Sequence, residues 1–144
     1  MLSLAIVGSM PKFKERRQKY FTAAAANGSL HRMQLLHIAG ANVNDSYGSS
    51  ALVLAAGQGR LDIVRYLLDE HADVNARETH GNTALTEAAF FGHVPVIKEL
   101  LLRGADVNAL TPNGTALDIA ISRNNATVID LLNHYGAKRA NELR

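Results

Sequence analysis

The 144-residue sequence contains no cysteine. That absence excludes disulfides, thiolate metal sites and a cysteine nucleophile, and it suits a reducing compartment, the cytoplasm first and the nucleus as alternative. A strong charge of either sign is missing too. Fifteen Lys and Arg stand against 13 Asp and Glu, a formal charge of +2, too small to mark a nucleic-acid binder by net charge. The apolar stretch 2–7 is far shorter than the roughly 20 residues that span a bilayer, and no basic residue precedes it as in a secretory leader; no membrane association is expected. Gly8-Ser9-Met10 ahead of Pro11 has the form of a tag junction with a second start methionine, and a native apolar extension covering the end of the domain is the alternative. Residues 1–10 are set apart on that account. Residues 11–144 are read as one domain, long enough to bury about 68–70% of the surface of the unfolded chain.

Catalytic spacing is also lacking. No nucleophile, base and oxyanion donor occur in a recognisable arrangement. The six histidines form no cluster and include no His-x-x-x-His pair: His71 stands at a helix end, and His31, His37 and His134 fall on terminal helices. The expectation is a chain that is not an enzyme, with no catalytic residue, no cofactor and no metal.

What is present is a repeat. Asn42-Val43-Asn44, Asp73-Val74-Asn75 and Asp106-Val107-Asn108 recur at spacings of 31 and 33, and Ser50-Ala51-Leu52, Thr83-Ala84-Leu85 and Thr115-Ala116-Leu117 at 33 and 32. The distance between the two markers varies (9 residues from Val43 to Leu52, 11 from Val74 to Leu85, 10 from Val107 to Leu117), so the segment joining them is a loop. Gly48, Gly81 and Asn113-Gly114 give that loop the chemistry of a tight hairpin.

Each unit divides into two short helical patterns. The second carries an apolar stripe, Leu61, Val64 and Leu68, then Val94, Ile97 and Leu101, with a parallel row of Ile63 and Leu67, Val96 and Leu100, Val128 and Leu132. The first is alanine-rich on its packing face, at Ala24-Ala25, Ala55-Ala56, Ala88-Ala89 and Ala120. Gly28, Gly59, Gly92 and Asn124 close the first helices, and Gly40, His71, Gly104 and Gly136 the second. Helices this short are marginal alone, so each pair must bury its stripe against the next.

The runs from Asp45 to Leu68, from Gly81 to His93 and from Leu100 to Ala109 resemble ankyrin repeats, and the likeness extends from Tyr20 to Ala137. It implies an all-α solenoid of stacked helix-turn-helix units with projecting β-hairpin loops, in repeats of about 12–44, 45–76, 77–109 and 110–139. The family's usual Thr-Pro-Leu-His becomes Ser50-Ala51-Leu52-Val53, Thr83-Ala84-Leu85-Thr86 and Thr115-Ala116-Leu117-Asp118, so the usual histidine bond near the turn must be replaced or absent. His93 stands where the family usually has histidine, and a structural cap contact is expected there. Arg32 and His37 in the first unit and Asn133 in the last replace stripe residues as caps facing water, Tyr20 to Asn44 and Thr115 to Lys138, and the four units are expected to form the whole solenoid.

The resemblance further implies a protein–protein interaction module, an adaptor, scaffold or inhibitor, that binds through hairpin tips and the concave face of the first helices. Carried over by position, the tips are Ser46, Tyr47 and Ser49, then Thr79, His80 and Asn82, then Pro112 and Asn113. The helix positions are Ala26 and Asn27, Leu54, Gly57 and Gln58, Glu87, Phe90 and Phe91, Ser122 and Arg123. Phe90 and Phe91 are the expected anchors, with Tyr47, His80 and Arg123 around them, because exposed aromatics dominate interfaces; the alternative is that one of them folds inward. The expected partner is a protein bound by a monomer. A second reading assigns nucleic-acid or acidic-partner binding to the basic segment 12–19, with Lys12, Lys14, Arg16, Arg17 and Lys19, whose plainer role is a solvated helix. A purely structural or designed array fits poorly with the irregular loops. The segments 67–75 and 100–108 also resemble stretches hydroxylated on asparagine in animal ankyrin proteins, although Asn75 and Asn108 equally suit plain loop positions.

Overall fold

A computed structural model describes residues 11–44 and 50–143. Among these described residues eight α-helices follow in order: α1 (Pro11–Asn27), α2 (Leu30–Ile38), α3 (Ala51–Gly57), α4 (Leu61–Asp69), α5 (Ala84–Phe91), α6 (Val94–Leu102), α7 (Ala116–Ser122) and α8 (Ala126–His134), with a 3-10 turn at Ala140–Glu142. They pair as α1/α2, α3/α4, α5/α6 and α7/α8. The first helices stack in a row, α1 on α3 on α5 on α7, and the second helices pack behind them. The fold is therefore an all-α solenoid. Between the pairs, the described loops carry only single antiparallel bridges, Arg77 with Thr83 and Thr111 with Gly114, rather than strands, so the projecting hairpins are narrower than the sequence suggests.

The same stop recurs at every helix end. The N–H of Ser29, Arg60, His93 and Asn125 reaches back five residues to the carbonyls of Ala24, Ala55, Ala88 and Ala120, at 2.9–3.1 Å. Ala41, Ala72, Ala105 and Ala137 do the same at the second helices. This closure needs a left-handed residue just before the donor. Asn124 (φ 53°) and His71 (φ 65°) supply it where the other repeats use glycine, and only the former is a residue type that tolerates that region well.

Packing follows the stripes. Ala24, Ala25, Ala55, Ala56, Ala88, Ala89 and Ala120 are buried between first helices, and Ile63, Val64, Leu67, Val96, Ile97, Leu100, Val128 and Leu132 are buried behind them. Alanine at the helix contacts lets neighbouring backbones approach, so four short pairs share one continuous core.

A second device ties loop to loop. The side-chain oxygens of Asn44, Asn75 and Asn108 accept the backbone N–H of Asp73, Asp106 and Lys138, one repeat further on, at 2.7–2.8 Å. No asparagine of a preceding unit serves Asn42, and buried Gln18 of α1 takes that place: its Oε1 accepts the Asn42 N–H at 3.0 Å and its Nε2 donates to the Asn42 carbonyl at 2.8 Å. The helix bearing the basic segment thus closes the N-terminal end of the ladder.

One detail departs from the sequence reading, and a point that reading left open is decided. Arg32 and Asn133 are exposed as expected of caps, but His37 is turned onto its neighbour, with Nδ1 2.8 Å from the Tyr66 hydroxyl and its ring edge-on to Tyr66. The missing family histidine is replaced at two turns by capping boxes, Thr83 with Thr86 and Thr115 with Asp118. At Ser50 no side-chain cap forms, and Val53 has no polar side-chain atom to supply the reciprocal half of a capping box.

Candidate functional site

At the end of each of the last three first helices, the two residues before the left-handed stop are Gly57 and Gln58, Phe90 and Phe91, and Ser122 and Arg123; all but the buried Gly57 are exposed. Phe90 is 42% exposed and Phe91 52%, so neither folds inward. Their rings meet edge to face at 4.9 Å. The Arg123 guanidinium lies 4.5 Å from the centre of the Phe90 ring, a cation–π contact spanning two repeats, while Phe91 lies nearly parallel to the His93 ring at 6.2 Å. The expected cap contact of His93 is made across the repeat boundary: Nε2–H donates to the Gly57 carbonyl at 3.0 Å, which fixes the tautomer.

Beside the aromatic pair lies a groove of about 320 Å³, lined by Val53, Leu54, Gly57 and Gln58 from α3 and its cap, Glu78, His80 and Asn82 from the hairpin, and Glu87 and Phe91 from α5. It exists because α3 has glycine at the position where α5 has Phe90. A Cβ built on Gly57 would sit 3.5 Å from the Glu87 carboxylate and 3.8 Å from the Phe91 ring, in the space that is now open.

The acidic groups here are held differently. Glu78 has an 11% exposed side chain that accepts the backbone N–H of His80 (2.9 Å) and Asn82 (3.1 Å) and the His80 imidazole N–H (2.8 Å). Burial alone would raise its pKa, but these donors together hold the carboxyl below the usual range. Burial, followed by repulsion from Glu78, pushes the Glu87 carboxyl above the usual range, against an Asn82 hydrogen bond and His80. None of the groove-lining residues is Lys or Arg.

The sequence-selected positions therefore fall into three groups. Leu54, Gln58, His80, Asn82, Glu87 and Phe91 come together in the groove. Phe90 joins Arg123 on the far side of Phe91, with Ser122 next to them, its hydroxyl bonded to the Ile119 carbonyl. Pro112 and Asn113 form the exposed tip of the following turn, beside Gly81 and Asn82 of the preceding hairpin, and Thr79 is exposed at that preceding hairpin's tip. Ser46, Tyr47 and Ser49 lie outside the described residues. Glu78 was not selected; its only signal is a carboxylate two and four residues ahead of N–H groups that a turn must satisfy.

A family model of ankyrin repeats in three copies matches residues 21–111 and 80–141, nearly the whole of the helical stack. The chain belongs to the ankyrin-repeat family. Ankyrin repeats are generally protein–protein interaction modules and typically lack catalysis of their own. No curated protein matches the sequence. Among the described residues of this ankyrin-repeat chain, no three His, Asp or Glu side chains are placed to hold a metal ion, and no helix is long and apolar enough to cross a membrane.

Proposed function

We propose that this protein is a non-catalytic module that holds a partner protein against its hairpin tips and first helices, acting as a monomeric adaptor, scaffold or inhibitor in a reducing compartment. The observation carrying this reading is the exposed Phe90–Phe91 pair, framed by Arg123 and an adjoining groove, on a rigid helical stack. Aromatics with one packed neighbour and one free face are efficient interface anchors because they bring large area with few rotors to immobilise. A largely preformed surface adds little ordering entropy.

The test is capture from source-cell lysate by the immobilised full chain, compared with a Phe90→Ala/Phe91→Ala variant and with Leu102→Ala, whose exposed side chain lies on a second helix. Anchor truncation costs about 2 kcal/mol or more, near thirtyfold in affinity. The double variant should release proteins retained by the other two while its helical circular dichroism stays unchanged. Equal retention, or loss of the fold, defeats the proposal. The basic segment 12–19 has a capping task through Gln18, so the alternative of phosphate binding there is supported only if retention falls steeply with salt.

A further inference from the structure

Three places in the fold stand out beyond the aromatic pair. The hollow along α1 at Lys12, Phe13, Arg16 and Lys19 is formed by one helix alone. The exposed Leu35 and Ile38 on α2 make an apolar strip with no indication of what covers it. The groove between α3, α5 and the hairpin differs from both, because three elements build it and its chemistry is lopsided.

Val53, Leu54 and the Phe91 ring line it with apolar surface, and its two carboxylates come from different elements, Glu78 on the hairpin and Glu87 on α5. Glu87 occupies a position on the first helix filled by Leu54 one repeat earlier and Ile119 one repeat later. An apolar residue would serve the stack equally well there, so the carboxylate has no packing reason. Glu78 is already bonded by its own hairpin, whereas Glu87 shares a narrow space with it and, among the described groove residues, has only the Asn82 amide and the His80 ring to offset its charge, with no Lys or Arg. We infer that the groove is a docking site for a basic side chain, arginine or lysine, on an exposed segment of the partner protein, with its charged head between Glu87 and Glu78 and its methylene stem against Leu54 and Phe91. This rests on the module reading above and specifies what the module selects.

The fit is one of length as well as charge. Arg and Lys combine an apolar stem with a polar end, and the groove offers those surfaces in that order, across the gap left by Gly57. A cation placed there offsets both the burial of the Glu87 carboxylate, the larger cause of its raised pKa, and its repulsion by Glu78. An acidic or plain apolar side chain leaves that repulsion in place or worsens it.

The probe is N-acetyl-arginine N-methylamide, with the lysine and neutral citrulline counterparts, titrated at low salt into the 15N-labelled full chain. Saturable amide shifts confined to Gln58, His80, Asn82, Glu87 and Phe91 are expected, in the millimolar range, with citrulline at least about tenfold weaker. Glu87→Gln should weaken arginine at least about fivefold. Gly57→Ala adds only ordinary van der Waals contacts and removes a helical glycine, so it should melt no lower than wild type yet also lose binding, because its methyl occupies the groove. Shifts scattered over other acidic surfaces, equal response to citrulline, or unchanged binding in Glu87→Gln overturn the inference. If the probe fails while lysate capture still depends on Phe90 and Phe91, the groove assignment is wrong and the module stands; if capture ignores the phenylalanines, the broader reading falls on its own.

Discussion

Asp118 offers the sharpest test of how the last repeat is held. Its Oδ2 accepts the N–H of Thr115 at 3.1 Å, which starts α7, and the N–H of Ala140 at 2.8 Å, in the segment after α8; its Oδ1 accepts Arg139 Nε at 3.0 Å. The Thr115 hydroxyl lies 2.8 Å from the Lys138 carbonyl, so its proton serves the same closing segment. One carboxylate therefore caps a helix and pins the chain that covers it. Hydrogen bonds to a charged group contribute about 1.5–3 kcal/mol each, but the bonds share one group and the half-exposed Arg139 pair adds little, so Asp118→Ala should cost about 2–3 kcal/mol in total. With unfolding entropy near 2.1 cal/mol/K per residue over 144 residues, that is a fall in melting temperature of about 7–10 °C. Burial opposes ionisation of Asp118, yet the donors on Ala140, Thr115 and Arg139 hold its carboxyl below the ordinary value. The folded-state pKa is depressed, so the stabilisation is complete above the unfolded value near 3.8 and disappears as pH falls through the folded one. Urea titrations from pH 7 to pH 2 should accordingly show wild type and Asp118→Ala converging below pH 4. A loss under 0.5 kcal/mol at pH 7, or a gap that does not narrow as pH falls below the unfolded value, would refute this account of the cap.

Two other outcomes follow from contacts between repeats. Asn75→Ala removes the acceptor for the Asp106 N–H and should cost about 1 kcal/mol, read as a lower urea midpoint with a shallower transition, because the lost bond couples neighbouring units; an unchanged slope would mean the ladder does not transmit cooperativity. Glu99 receives Arg65 Nε at 3.2 Å and Arg103 Nε at 3.0 Å, and Arg103 also reaches Asp69 at 2.7 Å, so Glu99→Gln should cost up to about 1 kcal/mol at low salt and a few tenths at 1 M salt, measured by parallel melts; a salt-independent loss would make Glu99 a packing residue instead.

The fold was legible because its stops are local. A residue able to take positive φ, placed after each alanine pair and each leucine row, marks eight helix ends without reference to the rest of the chain. The loop ladder was half legible: Asn44, Asn75 and Asn108 stood out by recurrence, but a side-chain oxygen aimed at a backbone 29 to 31 residues ahead is a product of stacking. Gln18 gave no signal at all, since it sits in a charged helical run and acts only because α1 lies against Asn42. The groove was legible residue by residue and not as a groove. Its hairpin wall depends on Glu78 folding the turn back over α3, and its depth depends on the absent side chain of Gly57, which matters only once α5 is packed alongside.

Comparison of the repeats with one another explains why the binding surface should lie where it does. The stack-facing positions hardly vary: Leu52, Leu85 and Leu117 follow the helix start, alanines fill the helix contacts, and Leu67, Leu100 and Leu132 fill the rear. Change there is expensive, since a buried leucine shortened to alanine costs about 2–5 kcal/mol. The two positions before each stop run through Ala26-Asn27, Gly57-Gln58, Phe90-Phe91 and Ser122-Arg123, which share neither size nor charge. The stack makes no demand on these side chains, so stability does not select among them. What distinguishes one repeat from the next is thus confined to a surface that folding leaves free, and that is where a glycine beside a phenylalanine pair opens the acidic groove.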